Sequence, residues 1–184
     1  EAAVVYGLIP AVIRNVVPGP LPGFPEPVTL VTYAFLHANW LHLLSNMLFL
    51  WIFGDNVEDA LGPVKFVFFY LACAVLAGLA HTLVNPDSIG PLIGASGAVA
   101  GVMGAYILLY PHARVYVLFR IVIPIPLPLP AMWMLGVWAV TQLFYAFAMP
   151  DEPVGWWAHV GGLVSGALLA IPLRRREVPL FGGR

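Results

Sequence analysis

Ser96 stands among small residues in Gly94-Ala95-Ser96-Gly97, where an apolar run begins. A serine hydroxyl is a poor nucleophile until a base takes its proton, and neutral imidazole, with an ordinary pKa of about 6.5, suits that task. His159, in Trp156-Trp157-Ala158-His159-Val160-Gly161-Gly162, is the candidate base. Attack on a peptide carbonyl builds negative charge on its oxygen, so hydrogen-bond donors are needed there. His42 and Asn46 are four residues apart and share one face of a helix. With the Ser96 N–H at a helix N-terminus they can supply those donors. No aspartate or glutamate lies where it could orient His159, so the set reads as a Ser-His dyad.

Each residue also has a plainer reading. A lone histidine on an apolar helix is more often structural, and a polar pair such as His42 and Asn46 can simply join two helices. What favours chemistry is depth: Ser96 opens one apolar run and His159 lies near the same end of another.

The elements that must position these groups are membrane helices. The chain has 184 residues, 61% hydrophobic and 9% charged, against about 25% charged in soluble domains. A net charge of −1 without a basic cluster before the C-terminus argues against nucleic acid. The single cysteine, Cys73, permits no internal disulfide and no thiolate metal site, and nothing implies a metal or cofactor. The lipid bilayer is the implied surrounding.

Residues 1–13 are too short to span and contain Pro10; the prolines from Pro18 to Pro27 make an extramembrane loop, and Val28 to Leu36 reads as interfacial. Spans are expected at about Trp40–Phe53 (ended by Gly54 and the polar run to Asp59), Pro63–Leu83, Ser96–Tyr110, Ala131–Ala148 and Trp156–Leu173. The alternating prolines from Pro124 to Pro130 suit an extended membrane-surface segment. The expected division is an outer loop over 1–39, a five-span core over 40–173 and a cytoplasmic tail over 174–184.

Arg174, Arg175 and Arg176 place the C-terminus in the cytoplasm; Lys65, Arg114 and Arg120 then fall on that side, and Glu26, Asp87, Asp151 and Glu152 outside. Ser96 and His159 come out near the outer surface, where water can reach them. Gly97 and Gly101 on one span, and Gly162 and Gly166 on another, form small-residue faces able to dock closely. Such docking would bring hydroxyl and imidazole together.

These residues resemble the rhomboid intramembrane serine proteases. The similarity covers most of the chain: His42 and Asn46 look like the family's His-x-x-x-Asn segment, Gly54-Asp55-Asn56-Val57-Glu58 resembles the turn after it, Gly94-Ala95-Ser96-Gly97 the nucleophile motif, and Ala158 to Gly162 the segment of the base. The resemblance implies an all-α membrane bundle that cleaves transmembrane segments of other proteins. Ser96 would be the nucleophile, His159 the base, and His42, Asn46 and the Ser96 N–H the oxyanion donors; Glu58 would brace the turn between the first two spans. It also implies that the family's first span is absent, the chain beginning just after it. A rhomboid-like pseudoprotease that binds membrane helices without cutting them is the alternative. Where some members carry an aromatic ring four residues after the serine, this chain has Ala100, so His159 must be oriented by other packing.

Overall fold

The computed structural model describes residues 1–120, 124–150, 152 and 154–182. Two short helices, α1 (Ala2–Tyr6) and α2 (Pro10–Ile13), open the chain, and a 3₁₀ turn, α3 (Thr29–Thr32) and a second 3₁₀ turn follow the proline loop. The long helices are α4 (Trp40–Leu61), α5 (Pro63–Val84), α6 (Ser96–Leu109), α7 (Ala131–Ala148) and α8 (Trp156–Leu173). Strands β1 (Arg114–Arg120) and β2 (Pro124–Pro130) lie between α6 and α7. Asp151, counted among the outer acids, lies outside the described residues, as do the last two residues of the tail.

Helix α4 corrects the sequence reading at one end. It starts where expected, with the Asn39 side-chain oxygen accepting the His42 N–H at 2.8 Å as an N-cap. It does not stop near Phe53 but runs through Gly54 and the polar stretch to Leu61. Phe53, Val57, Ala60 and Leu61 keep an apolar stripe buried while Asp55, Asn56 and Asp59 face outward, so these turns are amphipathic helix. Gly62, at φ +89°, breaks it, and Pro63 opens α5 at the position where a missing N–H costs nothing.

The centre of the bundle is α6. Every residue from Gly97 to Tyr106 is buried, so it meets protein on all sides. Its 14 residues rise about 21 Å, less than the roughly 30 Å of a bilayer core. Helix α8 lies along it at backbone contact: a methyl on Gly162 would strike the Gly97 carbonyl, and one on Gly166 the Gly101 carbonyl. On its other flank α8 sets Gly161 against Ala80 of α5. Helix α7 is held more loosely, burying only a stripe of Ala131, Leu135, Gln142 and Ala146.

Among the described residues, three helices, α5, α7 and α8, are long and apolar enough to cross a membrane. The other two expected spans differ for separate reasons: α4 carries polar residues along its length, and α6 is short.

The proline-rich segment is extended, as expected, and is also paired. β1 and β2 form an antiparallel hairpin in which Val115 faces Leu129 and Tyr116 faces Pro128. The Ala131 N–H continues the ladder to the Ala113 carbonyl at 2.8 Å. The odd-numbered pairs are therefore the hydrogen-bonded ones, and all four prolines fall where no bond to β1 is required.

Both chain ends are tied to the core. Leu8 exchanges backbone hydrogen bonds with Leu92, and the Ala11 N–H reaches the Ser88 carbonyl at 3.1 Å. The non-spanning N-terminal stretch thus braces the loop that leads to Ser96. The tail folds back, with the Arg175 N–H on the Ala60 carbonyl at 2.8 Å and the Phe181 N–H on the Leu108 carbonyl at 2.9 Å.

Candidate active site

Ser96 is the first residue of α6. A helix leaves its first N–H groups unbonded, and among the described residues no backbone carbonyl takes the Ser96 N–H. The preceding Gly94 holds φ at +122°, a conformation L side chains rarely adopt, while its N–H is anchored on the Tyr33 carbonyl at 2.9 Å. Tyr33 is fixed in turn, its hydroxyl donating to the Ala74 carbonyl at 2.7 Å. Ser96 and its loop are thus held by α5 and the segment before α4.

His159 sits one turn into α8. Its Nε2 lies 2.8 Å from Ser96 Oγ, and its Nδ1 lies 2.8 Å from Gln142 Oε1 on α7. The indoles of Trp138 and Trp156 flank the ring, each with its centroid 6.0 Å away. A cleft of about 80 Å³ opens beside it, bounded by α7 and α8 and lined by Trp138, Gln142 and Leu163 among others.

The two candidate donors on α4 are placed unequally. His42 Nδ1 accepts the Ala38 N–H at 3.4 Å, which puts the ring proton on Nε2. That nitrogen points at Gly94: a methyl there would stand 2.8 Å from His42 Nε2 and 3.7 Å from Ser96 Oγ. His42 Nε2 and Ser96 Oγ therefore converge over Gly94, where only a glycine leaves room for the ring. Asn46 is buried, and its Nδ2 donates to the His42 carbonyl at 3.0 Å, so one amide proton is held by its own helix. Beside His42, the His37 ring packs edge-on at 5.1 Å. Burial, and then the neighbouring His42, push the His37 imidazole below its ordinary pKa.

Glu58 is not brought to the site. It lies within the last turn of α4, where its backbone carbonyl accepts the Gly62 N–H at 2.6 Å; among the described residues its side chain makes no hydrogen bond. Gly54 to Glu58 is helix rather than turn. Ala100 is wholly buried, its methyl packed on Gly162, so the close approach of α6 and α8 leaves no room there for an aromatic ring. Gln142 stands out in the sequence as an amide in a membrane span that needs a partner, but nothing in the spacing points it at His159.

The arrangement can activate a hydroxyl, and comparison with known proteins agrees with its setting. The family model described as Rhomboid domain matches residues 25–176. The chain is 34% identical over 146 residues to Rhomboid protein 1, mitochondrial, of Saccharomyces cerevisiae, covering 77% of this chain and 40% of that one. It is 30% identical over 155 residues to Rhomboid protease GluP of Bacillus subtilis, covering 84% and 28%. With Rhomboid protease GlpG of Yersinia pseudotuberculosis it shares 30% over 140 residues, covering 76% and 46%. The chain spans less than half the length of these relatives. A match over most of the chain, together with three helices fit to cross a bilayer, makes this a membrane protein of the rhomboid family.

Proposed function

We propose that the protein is an intramembrane serine endopeptidase that cleaves transmembrane segments of other membrane proteins. The observation that carries this reading is the 2.8 Å contact between His159 Nε2 and Ser96 Oγ, set in a bundle of apolar helices. Imidazole takes the hydroxyl proton as Oγ bonds to the scissile carbonyl carbon, and the carbonyl π electrons move to oxygen. The oxyanion is met by His42 Nε2–H, the Ser96 N–H and the Asn46 amide. As the intermediate collapses, the peptide C–N bond breaks and His159 gives its proton to the departing amine. Water then repeats the sequence on the ester, releasing the acid and restoring Ser96.

The length of α6 supports a site below the membrane surface. Arg174 to Arg176 support a cytoplasmic C-terminus and a site opening to the outer side. Carbonyls of a spanning helix are tied to their own N–H groups, so the substrate must unwind locally to reach Ser96. A partner that binds helices without cutting them needs no serine within hydrogen-bond distance of an imidazole.

In liposomes holding a reporter transmembrane substrate, Ser96→Ala and His159→Ala should each abolish cleavage while the purified proteins unfold at the wild-type temperature. A fluorophosphonate should label Ser96 in the wild type alone. Cleavage retained in either variant would reject the mechanism, and a wild type that binds the reporter without cutting it would establish the pseudoprotease.

A further inference from the structure

We propose that Gln142 is the positioning residue of the base, fixing the tautomer and orientation of His159 from the neighbouring helix. This rests on the Ser96–His159 mechanism above. An imidazole without an acidic partner has two neutral tautomers, and only the one with its proton on Nδ1 leaves Nε2 free to take the serine proton. Gln142 Oε1, 2.8 Å from Nδ1, can accept a proton and cannot give one. It therefore selects the productive tautomer.

The amide is itself held in that sense. Gln142 Nε2 donates to the Trp138 carbonyl and to Thr141 Oγ1, each at 3.3 Å, while the Thr141 hydroxyl donates to the Trp138 carbonyl at 2.6 Å. Turning the amide over would set its oxygen against the Trp138 carbonyl and its NH₂ against the ring, so the donor pattern of α7 fixes which end faces His159. Gln142 is buried and leaves no charge in the bundle, where an ionised carboxylate would be costly. The position that Ala100 leaves without an aromatic ring is answered from α7, by an acceptor on Nδ1 and by the Trp138 indole one turn away.

The acceptor and the base ride on different helices, so the base is aligned only while α7 lies against α8.

The test uses Gln142→Leu, which removes the acceptor at similar volume, and Gln142→Glu, which replaces it with a charge. Fluorophosphonate labelling of Ser96 and reporter cleavage are followed across the acidic limb of the pH profile. The titratable groups that act on His159 are His42 from α4 and His81 from α5; both are common to every variant, so a difference between variants reports position 142. Gln142→Leu should label and cleave about 10²-fold more slowly, with KM unchanged. Gln142→Glu should recover rate relative to Gln142→Leu at high pH and carry its acidic limb about one to three pH units higher, because a carboxylate on Nδ1 stabilises the imidazolium. A Gln142→Leu rate equal to wild type, or a Gln142→Glu limb at the wild-type pH, overturns the assignment. If Gln142→Leu does not fold, the limb of Gln142→Glu decides alone. Failure of the underlying mechanism reads differently: the wild-type protein would then show no Ser96 labelling at any pH.

Discussion

Gly94→Ala is predicted to slow cleavage about 10²- to 10³-fold while leaving the bundle assembled. The added methyl would sit 2.7 Å from His42 Cε1 and 2.8 Å from Nε2, whereas an ordinary contact is about 3.5 Å or more. The imidazole must therefore retreat by about 0.7 Å, and being the far end of a side chain it can do so by rotating. That rotation takes the Nε2–H away from the developing oxyanion. Losing one such donor costs about 2.7–4 kcal/mol of transition-state stabilisation. Independently, holding alanine at φ +122° costs roughly 1–3 kcal/mol of folding stability. The two costs separate by assay, since thermal unfolding reads the strain and kcat on a reporter substrate reads the donor. A double-mutant cycle with His42→Ala sharpens the test, because a methyl acting through His42 should add little once the ring is gone. Wild-type kcat in Gly94→Ala, or full additivity in the cycle, would refute the placement of His42 as a donor over Gly94.

Two further outcomes follow from the same geometry. Asn46→Ala should lower kcat by roughly 10²- to 10³-fold with little change in KM; an unchanged kcat would assign the buried amide to its bond with the His42 carbonyl and nothing else. Gly162→Leu should destabilise by at least the 1–3 kcal/mol typical of overpacking, because it meets the Gly97 backbone and not a yielding side chain. Unfolding midpoint and Ser96 labelling should fall together, and an unfolding midpoint equal to wild type would show that α6 and α8 do not need backbone contact.

Much of the helical frame was legible because apolar runs bounded by Pro, Gly and charge leave little choice: α7 and α8 begin and end at the residues the sequence suggests. Helix α4 looks like a loop after Gly54 because four polar residues cluster between 55 and 59, until one notes that Val57 and Ala60 keep the buried stripe in phase. The pairing of Ser96 with His159 could be argued from matched depth and small-residue faces, which are local properties. Gln142 could not be assigned, since its role depends on the rotation of α7 about its own axis relative to α8, and a stripe of only four buried residues does not announce that angle. The hairpin was read as extended without a partner because four prolines argue against a strand in general, though not against one whose donors are wanted on a single side.

That one-sided strand limits how the protein can meet copies of itself. On the edge of β2 away from β1, the N–H groups that would point outward belong to Pro124, Pro126, Pro128 and Pro130, and so do not exist. A neighbouring strand approaching there finds acceptors only, and the sheet cannot grow in that direction. The free side of β1 keeps its backbone donors. The only lengthening of the sheet between two molecules that can form a full ladder at these edges joins β1 to β1, which in antiparallel sense is a closed, two-fold contact that ends at a pair.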